Sequence, residues 1–317
     1  MKIVEHARIS PRMKASGLVH QLAGCRVLAA GKLGEAASIV TEMFSSQEYT
    51  NFLSIAGPMV PGGLRIVIGD LVERGFIDAI ITTGANIVHD IVEALGYHHF
   101  VGTFSANDAQ LKKRRFGRIG DIYVEQAAFK ALEKFSFNIL DNLSEDRRQR
   151  ISLGDLLEAV ASRLSDPDSI LVKCRKMNVP IFSPGFLDSM MGLNLWTYSQ
   201  TKRLVIDELQ DMSRLINLGF DADKSGAIIL GGGVPKHHTL IANIFRDGVD
   251  SAVQITMDRP EPGGLSGASL EEAISWSKVR ERARYVSVIS DATICFPLIV
   301  AAVLDKVSTR RKKKRNR

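Results

Sequence analysis

The segment Glu272-Ala273-Ile274-Ser275-Trp276-Ser277-Lys278 sets a lysine two residues beyond an indole. An ammonium withdrawn from water gives up its proton more readily, and the free amine can then attack a carbon electrophile. Upstream, the triplet Gly231-Gly232-Gly233 and the pair His237-His238 follow an apolar run. A neutral imidazole there could accept a proton or hold an amine, or it could simply cap a helix. Lys278 alone would read as an ordinary surface lysine. Trp276 would read as core, although in an extended segment it would share a face with Lys278 and offer its ring to an ammonium. Glu272 has two explanations as well. Ser269-Leu270-Glu271-Glu272 has the spacing of a capping box, whereas a free carboxylate there would suit a cationic amine.

Groups of this kind need elements to carry them, and the hydrophobic pattern supplies a repeated unit. An amphipathic helix over 64–73, a strand over 77–81, the turn Thr82-Thr83-Gly84 and a helix from Asn86 make the first strand–turn–helix. The second runs through a strand over 227–230, the glycine triplet and a helix over 236–245, with further strands over 252–255 and 285–289. Such alternation predicts an α/β fold, a parallel sheet with helices on both faces. Residues 123–143 and 201–218 read as helices, 179–182 as a short strand, and 141–168 as a polar excursion. Glycines directly after a strand let the backbone approach a pyrophosphate at the next helix N-terminus, or serve chain geometry alone. His98-His99, at the start of a predicted strand, reads as structural.

The composition of the 317 residues, 45% hydrophobic and 24% charged, is that of an ordinary globular chain. The net charge is +6, but seven of the last eight residues are basic, and without them the body sits near −1. Attraction to nucleic acid is therefore not expected of the folded part, and only the tail could supply it. Cys25, Cys174 and Cys295 are odd in number and far apart, which argues against a disulfide framework and against zinc, and for a reducing compartment. Adjacent histidines point apart on a helix, so no metal site is expected. The apolar stretch 294–304 is too short to span a bilayer and reads as a buried helix, and the start does not resemble a signal peptide. The expected layout is a helical N-terminal arm over 1–50, one catalytic α/β domain over 51–305, and a disordered basic tail over 306–317.

Taken in order, the Thr-Thr-Gly turn, the string Gly231-Gly232-Gly233-Val234-Pro235-Lys236-His237-His238, the loop Leu265-Ser266-Gly267-Ala268, the lysine-bearing segment and Ser290-Asp291-Ala292-Thr293 resemble deoxyhypusine synthase. The resemblance extends over residues 51–304 and implies a Rossmann-like, NAD-binding domain in a cytoplasmic homotetramer, a dimer of dimers. It implies oxidation of spermidine with NAD, transfer of the aminobutyl group through a lysine imine, and delivery to one lysine of a translation factor. On that match Lys278 would form the imine with His237 beside it. Glu272, Trp276, Asp188, His89 and Gly263 would hold the polyamine. Gly57, Thr83, Gly84, Ala85, Gly232, Ser266, Asp291 and Ala292 would surround NAD.

The departures from the eukaryotic pattern cluster where substrate is held. Leu265 and Pro184 stand in place of acids, Val88-His89 in place of a glutamate pair, and Ile241 in place of an asparagine. Ser189 replaces an amine-binding aspartate, with Asp188 next to it. Archaeal and bacterial members resemble this chain in several of these changes. The rival reading keeps the chemistry on Lys278 but passes the group to putrescine, as a homospermidine-synthase-like enzyme would. A silent NAD-binding module with a recruiting tail is the remaining alternative.

Overall fold

The computed structural model describes residues 1–310. Its strands are β1 (Tyr49–Ile55), β2 (Ala79–Thr82), β3 (His99–Val101), β4 (Phe116–Ile119), β5 (Ile122–Glu125), β6 (Ile181–Phe182), β7 (Lys224–Leu230), β8 (Val249–Thr256) and β9 (Val279–Ile289). The chain divides into two compact units. One comprises Met1–Ala56, Glu73–Ile81 and the chain from Arg214 onward, and the other comprises Gly57–Val72 and Thr82–Ser213. The sequence had suggested a single domain over 51–305.

In the first unit the strands lie side by side in the order β2-β1-β7-β8-β9. β1 pairs parallel to β7 in the register Tyr49↔Lys224 through Ile55↔Leu230, and β7 to β8 and β8 to β9 are also parallel. Every residue of β1 and β2 is buried, as are six of the seven in β7. A sheet covered on both faces needs such near-continuous apolar runs, and the α/β architecture expected from the alternation is the one adopted. The chain leaves β1 toward β2 on one side and returns to β7 on the other. The carboxyl ends of β1 and β7 therefore form the point where strand order reverses, the place where open α/β sheets bind ligands.

The N-terminal segment supplies the helices Ala15–Cys25 and Leu28–Ser45, which pack on each other, with the second against β9 and the C-terminal helix Ala292–Leu304. Phe44 on the second helix stacks on Phe76 at 4.4 Å between ring centres. Asn51, buried within β1, donates from Nδ2 to the carbonyls of Met43 and Phe76, which satisfies its two donors, while its Oδ1 has no hydrogen-bond partner among the described residues. At the opposite end of the sheet Asp250 accepts from Ser225 N, Arg246 and Arg280, tying the starts of β7, β8 and β9 together.

The second unit contains the helices Gly84–Ala94, Gln126–Asp141, Leu153–Ala161, Ile170–Lys176 and Met190–Ser199, β6, and a three-stranded antiparallel sheet in the order β3-β5-β4. Asp90, 1% exposed, accepts from Arg65 Nε at 2.7 Å, Ser169 Oγ at 2.8 Å, and the backbone N–H groups of Ile170 and Leu171. A carboxylate at the start of the helix Ile170–Lys176 satisfies donors that have no partner within the helix.

Two expected helices are shorter than the periodicity suggested. Residues 122–125 form β5, paired with β3 and β4, and the helix starts only at Gln126. Ile122, Tyr123 and Val124 suit a pleated, half-buried surface, and the available cross-strand partners decide the matter. Likewise 201–207 is not helical. Val205 and Ile206 pair with the chain around Ile151, and the helix runs over Glu208–Phe220.

Candidate active site

The glycine triplet follows β7 directly, and the helix after it, Gly233–Ile241, starts earlier than the sequence suggested. Gly231 and Gly233 have φ of 76° and 59°, a turn that side chains with a Cβ adopt only under strain. A Cβ on Gly232 would come within 2.4 Å of Ser266 Cα, so only glycine lets the triplet meet the loop that carries Leu265 and Ser266. Gln254, from β8, fastens that meeting by donating to Gly231 O at 3.1 Å and Ser266 O at 2.9 Å.

The helix then presents Lys236 and His237 to a cavity of about 290 Å³, lined also by Leu240, Leu265, Ala268, Ser269, Glu272, Ala273, Trp276 and Lys278. Lys278 reaches it from a turn. Glu272–Trp276 is a short 3-10 helix, Ser277 is left-handed at φ 51°, and Lys278 N donates to Ala273 O at 3.0 Å before β9 begins. Gly248 permits this entry, since a Cβ there would meet Lys278 C at 2.7 Å and Val279 N at 2.6 Å.

Lys278 Nζ lies 3.3 Å from His237 Nε2 and 5.2 Å from the centre of the Trp276 ring. Burial, and then the charge of Lys278, push His237 below its ordinary value. The neutral ring therefore offers a lone pair to an amine. Glu272 N donates to Ser269 Oγ at 3.2 Å, so the capping interaction forms through the backbone. The Glu272 carboxylate has no hydrogen-bond partner among the described residues.

Two expectations are corrected here. Trp276 and Lys278 meet through a tight turn and not along an extended strand. Nor does the indole enclose the amine, because the turn leaves Trp276 62% exposed. The enclosed amine in this cavity is Lys236, 3% exposed, which donates to Gln254 Oε1 at 3.0 Å and to the carbonyl of Ala268. Burial pushes it down to about 8, against the opposing charge of Glu272. Sequence reasoning missed Lys236 and Gln254. Gln254 did carry a signal, as a polar residue inside an otherwise apolar strand.

Lys278, His237, Glu272 and Trp276 thus share one cavity, while Gly232 and Ser266, which pack closely on each other, are not among its lining residues. Gly263, with φ 70°, sits exposed in the loop beyond and does not line it. Asp291 caps the helix Ala292–Leu304 by accepting from Thr293 N and Oγ1 at 2.7 Å, with Ala292 buried behind it.

The remaining expected residues belong to the second unit. Thr83 caps the helix Gly84–Ala94, and Asn86 links it to Gly57 by donating to Thr83 Oγ1 at 3.2 Å and to Gly57 O at 3.0 Å. Ala85 follows in the first turn. A Cβ on Gly84 would come within 2.7 Å of Ser189, which itself caps the helix Met190–Ser199. Asp188, next to it, is exposed, and its carboxylate is not hydrogen-bonded among the described residues. His89 is buried and bonded to His99.

The residues present fit a dinucleotide in kind. Two glycine-bearing turns, Thr83-Gly84 after β2 and Gly231-Gly232-Gly233 after β7, each lead into a helix whose first backbone N–H groups suit a pyrophosphate. Among the described residues no group of His, Cys, Asp and Glu could hold a metal ion, and no helix is long and apolar enough to cross a membrane.

Residues 17–303 match the family model of deoxyhypusine synthase. The chain is 43% identical over 308 residues to the probable deoxyhypusine synthase 1 of Methanosarcina acetivorans, covering 97% of this chain and 96% of that one. It is 41% identical over 304 residues to the probable deoxyhypusine synthase of Methanothermobacter thermautotrophicus, covering 96% and 98%. A crystal structure assigned to deoxyhypusine synthase from Entamoeba histolytica shares the fold, with a TM-score of 0.66 at 23% identity over 95% of this chain and 96% of that one. With the lysine, histidine, glutamate and tryptophan of the motif gathered in one cavity, and matches running nearly end to end, the chain belongs to the deoxyhypusine synthase family.

Proposed function

We propose that this protein transfers the aminobutyl group of spermidine, through an imine on Lys278, to one lysine of a translation factor precursor. The observation that carries the reading is the 3.3 Å approach of Lys278 Nζ to His237 Nε2 beside the unpaired carboxylate of Glu272. The family match supports a protein lysine, rather than putrescine, as acceptor.

The residues divide the work by their chemistry. Glu272 places a negative charge where a polyamine ammonium can sit, and the face of Trp276 takes a cationic nitrogen beside it. His237, held neutral, accepts a proton from the Lys278 ammonium and so frees the nucleophile. Lys278 Nζ forms a bond to the oxidised carbon while the bond from that carbon to the departing diamine nitrogen breaks. The proton held by His237 goes to the leaving amine. The acceptor lysine then displaces Lys278 in the same way. NAD supplies, when bound, the acceptor for the hydride removed from the polyamine and its donor to the final imine. Gly57, Thr83, Gly84, Ala85, Gly232, Ser266, Asp291 and Ala292 would hold it, with Asn86 fixing the first turn. Lys236 organises the cavity wall by joining β8 to the Ala268 loop. The reading also has the enzyme in the cytoplasm, as a homotetramer of two dimers.

Incubation with NAD and spermidine, borohydride reduction, and mass measurement of the Lys278 peptide test the proposal. An aminobutyl increment on Lys278 is expected, and an unmodified peptide would exclude the mechanism. Competition between the purified translation factor and putrescine then decides the acceptor.

A further inference from the structure

The helix Gly84–Ala94 and β3 bring three ionisable side chains into one chain of hydrogen bonds. His99 Nδ1 lies 2.6 Å from Glu93 Oε1, and His99 Nε2 lies 2.8 Å from His89 Nδ1. Glu93 is gripped further by His98 Nδ1 at 3.0 Å and by the backbone N–H of His99 at 3.1 Å. Burial opposes ionisation of Glu93, but the bonds from His99 and His98 outweigh it and hold the carboxyl at about 2. Burial, and then the neighbouring His99, push His89 down to about 4, so it is neutral near pH 7.

The order of protons along this chain follows from who can donate. An ionised carboxylate only accepts, so His99 Nδ1 carries a proton. In the state where each ring carries one proton, His99 Nε2 is a lone pair and His89 Nδ1 donates to it. His89 Nε2 is then a lone pair too, and none of the described residues occupies it. His89 is 8% exposed and its ring packs edge-on against Phe129 at 6.4 Å, so its orientation is held. The next residue cannot compete for an amine, because the Asp90 carboxylate is already taken by Arg65, Ser169 and the backbone of Ile170 and Leu171.

We propose that His99 and Glu93 are positioning residues that lock His89 in the tautomer with a free Nε2 acceptor, and that this nitrogen takes an N–H of the polyamine. The identity of the donor rests on the function proposed above; the lock rests on this chain's own geometry. An imidazole acceptor holds an amine by direction and not by charge, so it reads the place of a nitrogen along the substrate.

Long-range proton–nitrogen NMR of the full chain labelled with ¹⁵N-histidine reads the tautomer directly. The expected spectrum shows His89 protonated at Nδ1 and bare at Nε2, with Nε2 shifting when spermidine is added. His99→Phe, which keeps a ring but removes both nitrogens, should erase that signature and raise KM for spermidine about tenfold with kcat little changed. His99→Gln, whose amide oxygen can still accept from His89 Nδ1, should restore KM to within about threefold of the parent. A proton on His89 Nε2 in the unsubstituted protein overturns the lock, as does an unchanged KM in His99→Phe. Absence of any aminobutyl adduct on Lys278, with the Nδ1–H tautomer intact, would instead refute the substrate and leave the lock standing.

Discussion

Lys278 Nζ and His237 Nε2 stand 3.3 Å apart across a sequence separation of 41 residues. One enters on the helix after β7 and the other from the turn before β9, so parallel strands with β8 between them bring the two together. The pairing gives Lys278 a neutral proton acceptor within reach, which a lysine needs before it can act as a nucleophile.

Replacing Lys278 with arginine should abolish transfer. A guanidinium stays protonated throughout the accessible pH range and cannot form the imine. Borohydride trapping should find no adduct, and a turnover assay should fall to background. Full activity in Lys278→Arg would exclude the mechanism.

Gly232→Ala should damage the fold locally and, with it, the proposed dinucleotide site. The added methyl would meet Ser266 Cα at 2.4 Å, so the loop must shift, at a cost of about 1–3 kcal/mol. Urea denaturation should show the loss, and calorimetric titration with NAD should show weakened binding. Unchanged values in both would mean that the triplet and the loop do not meet as described.

Stability should fall as the pH drops from about 6.5 toward 4. His89 takes up its proton at about 4 in the folded chain, whereas the unfolded chain takes it up near 6.5, so acid favours the unfolded state across that window. The shift corresponds to roughly 2–3 kcal/mol by pH 4.5. Denaturant unfolding at pH 7 and 4.5 should show this slope, reduced in His89→Asn, and equal slopes in the two proteins would refute it.

The chain beyond residue 310 should be separable from Arg310. The sequence placed Arg310 in a solvated tail, but its side chain is 6% exposed and pairs with Asp78 at 2.9 Å, while the rest of the basic run, 311–317, lies outside the described residues. Removing 311–317 should leave thermal stability and catalysis with small substrates unchanged. Arg310→Ala should cost about 3 kcal/mol, since it removes the cation from the Asp78 carboxylate and leaves it only the Asn51 N–H. Equal melting temperatures for Arg310→Ala and the parent would contradict this.

Much of the design was legible before folding. The alternation of apolar strands and amphipathic helices was enough for a parallel α/β sheet, because a strand buried on both faces must be apolar along its length. The order of short motifs carried the family resemblance that pointed to Lys278, His237, Glu272 and Trp276, and the fold gathers these four around one cavity. Tertiary structure decided everything that depends on what a side chain meets. It made 122–125 a strand by giving it partners, enclosed Lys236 while leaving Trp276 exposed, and buried Arg310 against Asp78. It also divided His89-Asp90, binding the aspartate into a helix cap and the histidine into a relay with His99 and Glu93. Composition and spacing encode local propensity and chemical type, whereas burial and hydrogen-bond partnership arise only between segments far apart in the chain.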